Sequence, residues 1–456
     1  DRFSNFFKSM ENIRNNTIYS NNNNISFINF EEYQKQNINK LDYYINIGDF
    51  EIEFLGSKEI NIINSSFNEY EWSVPFMNYY EGNQKPSAFI DQWLDKLLII
   101  SGRGDTNYIN LSNLEDVIQK SDNLLMNKIP NNLSELISDK NFFGRGWISV
   151  KDIMVDDNII YLSYTNLLKI NDKSNTLEIN NPESDKIIDS DDLCYGLSIL
   201  SADLNINFLE FKEFVTLEEC VNTSTPEFTA HLVGGRMINY DDHILISTGD
   251  FRTRYLSQDD DSYLGKILIL QKENKKIEIF SKGHRNPQGL FYDKENNIIL
   301  STEHGPWGGD EINLIYKNNN YGWPISSYGK HYCEKKQPMT EDCKAKYDLY
   351  PLHKSHAQHN FIEPLKYFNK SLGISEIAKL SKKFSSEDTN NYIVSSLGGE
   401  NGRQFYIFNI SDKKNPIITN EYFISSGERV RDLKISTNGK YIFSFKEDTS
   451  VLSIIF

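Results

Sequence analysis

Residues 283–324 read GHRNPQGLFYDKENNIILSTEHGPWGGDEINLIYKNNNYGWP, two loops rich in Gly, Pro and charged residues set about one short apolar run, NIILST. Arg285, Asn286, Gln288, Glu303, His304, Asp310 and Glu311 all fall in these loops, so many functional side chains converge on the two ends of one strand. Loops of this composition carry sites when a rigid scaffold holds them. Taken singly, each residue also fits a well-capped hairpin turn.

Outward from this stretch the same unit recurs: an apolar strand, a polar Asp/Asn turn, a β-branched strand and a Ser/Thr-rich exit. It occurs as ISVKDIMVDDNIIYLSYTN from Ile148, GGRMINYDDHILISTGD from Gly234, QGLFYDKENNIILSTEHG from Gln288 and VRDLKISTNGKYIFSFKED from Val430. Weaker copies begin at Lys96 (KLLIISGRGD) and Asn390 (NNYIVSSLGG), making about six units. Short period-2 segments with turns between them predict antiparallel all-β structure. Repetition at blade-like length favours a propeller over a sandwich. In a propeller the exits GRGD (102–105), SYTN (163–166), STGD (247–250), STEHG (301–305), SLGG (396–399) and FKED (445–448) ring one axis and open on one face.

Between the copies we expect a helix in NLEDVIQKSDNLLMNK and a short helix or turn over 373–384. His353, His356 and His359 share a three-residue spacing, but flanking prolines argue for solvated loop histidines rather than a metal-binding helix. Residues 1–70 are expected to form an extension that packs on the propeller and donates one strand, with helical FSNFFKSMENI and FEEYQKQNINKLDYYI; residues 71–456 form the propeller.

The chain has 456 residues and a net charge of −16, which argues against nucleic acid or anionic membrane as partners, since both need basic patches. No apolar run is long enough to span a bilayer, and the sequence as given shows no leader at its start. The four cysteines suit two disulfides in an oxidising compartment, Cys333 and Cys343 flanking one loop. A zinc site lacks a C-x-x-C pair; free thiols in a cytosolic protein stay open. The expectation is a periplasmic or secreted protein.

Gly283–Gly289, Glu303–Pro306, Asp310–Asn313 and Asn320–Pro324 closely resemble, in order, the signature of the soluble glucose/aldose sugar dehydrogenases, quinoproteins of the glucose/sorbosone dehydrogenase family built as six-bladed β-propellers. The resemblance implies oxidation of an aldose at C1 with pyrroloquinoline quinone (PQQ) and calcium, electrons passing to an external acceptor. It implies His231 as general base, Arg285 as stabiliser of charge on the quinone oxygen, and Asn286, Gln288, Arg429 and Arg431 as cofactor anchors. Phe368 takes the place of a stacking Trp, and calcium is implied on the backbone carbonyls of Gly305 and Pro306. Two departures stand out. His231 lies five residues before Arg236 where the family places four, and Gly398 stands where the family presents a Lys or Arg. They keep open an alternative, a catalytically silent propeller binding a carbohydrate or protein through the same face.

Overall fold

The structure of the chain, a computed structural model, describes residues 17–21, 24–28, 48–74, 87–137, 142, 148–169, 193–225, 227–335, 338–385, 390–399, 402–411 and 416–456. The two helices expected within residues 1–47 lie outside the described residues.

Six sheets, antiparallel except for a two-residue parallel pairing at the edge of blade three, make a six-bladed β-propeller. Each blade begins with an inner strand: Ala88–Trp93, Val150–Asp156, Gly234–Tyr240, Pro287–Asp293, Ile374–Lys379 and Val430–Ile435 in blades one to six. Each inner strand packs on the next, and that of blade six on that of blade one, so the ring closes. Alternate residues of the strands fill the spaces between blades; Leu300, Ile312, Ile374, Ile377 and Val394, for example, make one such core between blades four and five.

Blade six is assembled from distant parts of the chain. Val430–Ile435, Ile442–Lys446 and Val451–Ile455 are followed in the sheet by Ser65–Ser73 and then Phe54–Ile62. The sequence boundary at residue 70 therefore runs through a blade strand. The join carries buried charge: the Lys446 ammonium donates to Glu71 at 2.6 Å and to Glu69, which also meets Lys58 at 2.8 Å and Ser453 at 2.6 Å. Burial pushes the Glu69 carboxyl up, but Lys446 and Lys58 outweigh it and hold it below its ordinary value.

Five of the six inner strands carry a one-residue bulge near their start, where two inner-strand residues face one on the neighbour. The extra residues are Lys151 in blade two, Gln288 in blade four and Arg431 in blade six, with Gly235–Arg236 and Ser375–Glu376 spanning the same irregularity in blades three and five. A bulge re-aims a side chain out of the pleat. The Ser/Thr repeat of the second strands has a structural role here: Ser163 donates to Gly235 O at 2.6 Å, Ser247 to Pro287 O at 3.2 Å and Thr302 to Ser375 O, each hydroxyl bonding the next blade's bulge.

One residue further along, the inner strands place Asp152, Arg236, Gly289, Glu376 and Asp432 at the axis. The Arg236 guanidinium meets Asp152 at 3.0 Å, Glu376 at 2.9 Å and Asp432 at 2.9 Å, and donates to Gln288 O at 2.7 Å and Arg431 O at 2.8 Å. Asp432 also accepts from Ile90 N at 2.8 Å, which brings in blade one. Gly289 leaves room for this: a Cβ there would sit 2.4 Å from Ser375 O. Burial drives the Asp152 carboxyl up to about 7 and Glu376 up to about 8, with Arg236 opposing both shifts.

Two local expectations are corrected. The helix in 113–128 ends at Lys120, where Ser121 turns left-handed (φ 55°), and Leu124–Lys128 is the fourth strand of blade one, with Phe50–Ile52 paired outside it. The helix or turn expected over 373–384 is the inner strand of blade five. Ile374, Ile377 and Leu380 have helical spacing, but the bulge between Ile374 and Ile377 adds a residue to the strand period and imitates it. The cysteines form Cys194–Cys220 and Cys333–Cys343 disulfides.

Breaking the axial cluster leaves buried carboxylates uncompensated, so Arg236→Met should lower stability in urea by about 3–5 kcal/mol. Glu376→Gln should cost less, and its deficit should shrink with rising pH. A carboxyl with a raised folded-state value stabilises while protonated, and that stability is lost as pH climbs through the folded value. Equal losses in both variants at every pH would contradict this account of the axis.

Candidate active site

Above the axial cluster lies a cavity of about 210 Å³ lined by Phe89, Lys151, His231, Asn286, Gln288, His304, Leu397, Arg429 and Arg431, among others. It opens on the face where the inner strands begin and the second strands end. Of the nine site residues expected from sequence, His231, Asn286, Gln288, Arg429 and Arg431 meet here.

The two arginines are oriented by Glu447, which is buried at the end of blade six's second strand. Its carboxylate accepts from Arg429 Nε at 3.1 Å and Arg431 Nε at 2.6 Å. Arg429 also donates to Leu397 O at 2.9 Å, fixing it against blade five. Arg431 donates to Gln288 Oε1 at 3.3 Å, Gln288 to Asn286 Oδ1 at 3.1 Å, and the same Oδ1 accepts from Gly234 N at 3.2 Å. A continuous hydrogen-bonded chain thus links blades six, four and three around the cavity. Lys151 completes the wall from blade two, with Nζ 3.2 Å from Ser149 Oγ.

His231 sits on a 3₁₀ turn, Ala230–Leu232, that enters blade three. Thr229 anchors it: its Oγ1 accepts from His231 N at 3.3 Å and lies 3.2 Å from Nδ1. The extra residue between His231 and Arg236 does not carry the imidazole out of the site, and the strand bulges between Gly234 and Met237. His231 keeps an exposed edge, yet partial desolvation pushes the imidazole down to about 4, helped by the positive charges of Lys151, Arg431, Arg252 and Arg429. It is therefore neutral at physiological pH.

The other expected residues lie outside the cavity lining. Arg285 is buried behind it, donating to His304 O at 2.9 Å with its guanidinium 5.5 Å from the Trp323 ring. Its influence on the cavity passes through His304, which lines the wall and whose Nε2 is a buried atom without a hydrogen-bond partner among the described residues. Phe368 belongs to the core between blades four and five, edge-on to Tyr406 at 5.1 Å, on the outer strand Lys366–Phe368 rather than at the axis. An outer blade strand is several strand spacings of about 4.8 Å from the inner one, which separates Phe368 from the cavity.

Gly305 and Pro306 form a turn at the end of blade four's second strand. Asp310 Oδ1 accepts from Gly305 N at 3.0 Å, and a Cβ on Gly305 would lie 2.3 Å from the carbonyl oxygens of Gly308 and Gly309. A turn folded so tightly around carbonyl oxygens fits a hard cation. Among the described residues, no group of three or more His, Cys, Asp or Glu side chains is arranged to hold a metal ion. At Gly398 φ is +80° and an added Cβ would lie 2.8 Å from the Arg403 side chain, while Arg403 itself pairs with Asp448 at 2.8 Å.

Lys151 and Glu447 were missed by sequence reasoning. The signal for Lys151 was present: VKDI in blade two repeats VRDL in blade six, so Lys151 is the counterpart of Arg431. Glu447 was seen only as part of an exit loop.

A ring of six blades of four or five strands with a cationic cavity at the axis defines a propeller with a candidate small-molecule site. Residues 148–453 match the model of the glucose/sorbosone dehydrogenase family, and the chain belongs to that family. It is 34% identical over 124 residues to the aldose sugar dehydrogenase YliI of Escherichia coli, covering 24% of this chain and 33% of that protein. It is 45% identical over 74 residues to quinoprotein glucose dehydrogenase B of Acinetobacter calcoaceticus, covering 14% and 15%. An uncharacterized protein of Synechocystis is 29% identical over 220 residues, 45% of this chain and 48% of that one. These matches span less than half the length of each relative. In fold, the chain resembles the apo soluble aldose sugar dehydrogenase of E. coli (TM-score 0.57, 19% identity, 81% of this chain and 95% of that one). It also resembles the PQQ-bound aldose sugar dehydrogenase of Streptomyces coelicolor (TM-score 0.50, 14% identity, 85% and 98%).

In the ligand-free protein the His231 ring protons should titrate by NMR near pH 4, below the ordinary value of about 6.5. Titration between pH 6 and 7 would show that the cavity does not enclose this imidazole.

Proposed function

We propose that this protein is a PQQ- and calcium-dependent dehydrogenase that oxidises an aldose at C1 and passes the electrons to an external acceptor. The observation that carries the reading is the Arg429–Glu447–Arg431 arrangement, which presents two oriented guanidinium groups to one cavity shared with Asn286, Gln288 and His231. Guanidinium groups pair carboxylates bidentately and stay charged, so this donor set fits a quinone bearing three carboxylates. When bound, the quinone supplies the acceptor for the hydride leaving C1.

The chain's own residues do the rest. Arg429 and Arg431 hold carboxylates, while Asn286 and Gln288 offer side-chain amides to polar edges of the ring. With Nδ1–H donating to Thr229 Oγ1, His231 presents Nε2 to accept the proton of the C1 hydroxyl, and its neutral state at physiological pH suits that task. Arg285 acts through His304. The carbonyls of Gly305 and Pro306 would hold the calcium. Two disulfides support a site of action in an oxidising compartment outside the cytoplasm, and no helix among the described residues is long and apolar enough to cross a membrane.

The second reading, a silent propeller that binds a carbohydrate or a protein, draws support from the placement of Arg285 behind the wall and from Gly398. One experiment separates the two. The protein is mixed with calcium and PQQ, freed of excess cofactor, and assayed for dye reduction with a panel of aldoses. Retained quinone absorbance with sugar-dependent reduction is the expected result. His231→Ala should abolish reduction and leave quinone uptake nearly intact; parallel loss of both would remove His231 from the role of base. Failure of the unmodified protein to retain the quinone would overturn the dehydrogenase reading.

A further inference from the structure

The propeller's internal repeat singles out one cavity residue with no role in the reading above. Bulges of identical kind expel one residue from the inner strands of blades two, four and six: Lys151, Gln288 and Arg431. All three line the cavity, at alternate positions around its ring. Blades three and five place Gly235 and Ser375 at the matching level, residues too small to reach the centre. The cavity floor is thus a three-fold arrangement of long polar side chains, and Lys151 holds the same post as Arg431, two blades away.

The charges around Lys151 make this placement costly in the empty protein. Arg431, Arg429 and His231 face the same cavity, and Arg252 stands beyond His231. His304 approaches from blade four. Among the described residues, Glu447 is the carboxylate whose charge acts on Lys151, and it is bonded to both arginines. Asp152, the next residue along, turns to Arg236 at the axis. Among the described residues the cavity-facing cations therefore outnumber the carboxylate that orients them, and a ligand carrying several negative charges would balance them.

We propose that Lys151 is a ligand-binding residue whose ammonium pairs with an anionic group of a polycarboxylate ligand, the amine taking up a proton from solvent as that ligand enters. The proposal rests on the quinone reading of the cavity. Burial, and then the Arg431 charge, bring the Lys151 amine down to about 7, with Glu447 opposing, so the empty cavity releases this proton on the alkaline side of neutrality. A carboxylate arriving beside it reverses the balance and favours the charged form. No bond other than N–H is made, and the ligand's carboxylates stay ionised throughout.

The direction of the pH effect follows. Below about pH 7 Lys151 is charged before binding, and no proton is taken up. Above it, binding must recruit the proton, and affinity should fall by about tenfold per pH unit. His231 titrates near 4 and contributes nothing in that range.

The test is titration calorimetry of the calcium-loaded protein with PQQ, in buffers of differing ionisation enthalpy, at about pH 6 and about pH 8.5. The unmodified protein should take up close to one proton at the higher pH and almost none at the lower. Lys151→Met should bind about 10- to 100-fold more weakly at the lower pH, the range for a lost charge-assisted contact, and should take up no proton. Lys151→Arg should bind without the pH slope, because a guanidinium keeps its proton throughout. Thermal unfolding checks that the Met variant is folded; if it is not, the Arg variant decides. Unchanged affinity and proton uptake in Lys151→Met, or an unmodified pH slope in Lys151→Arg, would overturn the role of Lys151 and leave the quinone reading standing. Failure of the unmodified protein to bind PQQ at either pH would overturn both.

Discussion

The guanidinium of Arg236 is the point on which the ring turns. Side chains from blades two, five and six and main-chain carbonyls from blades four and six converge on it, and Asp432 extends the contact to blade one. Much of the remaining contact between blades is through apolar faces, which specify distance but tolerate sliding. A planar fork of five N–H donors does not tolerate sliding. The cluster therefore sets the height of each inner strand, and with it the height of the bulges one residue above. Lys151, Gln288 and Arg431 reach the cavity at one level because the residues beneath them are tied to one cation.

Much of the architecture was legible because propellers repeat. Second strands such as KLLIIS, HILIST and NIILST are short, apolar and closed by Ser/Thr, and they announced six units. Inner strands were harder to see. The bulge in ISEIAK breaks the alternation on which strand recognition depends and substitutes the three-residue spacing of a helix. The irregularity that makes inner strands functional is thus the one that hides them. The join at blade six was partly legible, since an N-terminal strand was expected to enter the propeller; that it would bring Glu69 and Glu71 to a buried Lys446 had no signal in either segment alone.

For the site, paired arginines two apart on a strand entry were a dependable sign, and both line the cavity. Phe368 was not, because a local sequence match carries no information on which strand of a blade a residue occupies. Arg285 shows a subtler limit. Its neighbour Asn286 reaches the cavity, whereas its own side chain turns behind the wall to Trp323 and the His304 carbonyl. The general charge of the chain was equally indirect: a net −16 coexists with a pocket that gathers Lys151, Arg429 and Arg431.

The composite make-up of blade six has a consequence for the order of assembly. Arg429, Arg431 and Glu447 belong to a blade that is incomplete until strands 54–62 and 65–73 dock beside 451–455. The earlier blades are built from local hairpins and form quickly, whereas joining ends nearly the whole chain apart is the slow, entropically expensive step. The sheet that carries Arg429, Arg431 and Glu447 is therefore completed only when the ring closes. A half-made or unravelling chain presents no cationic cup, and ligand binding reports on ring closure itself.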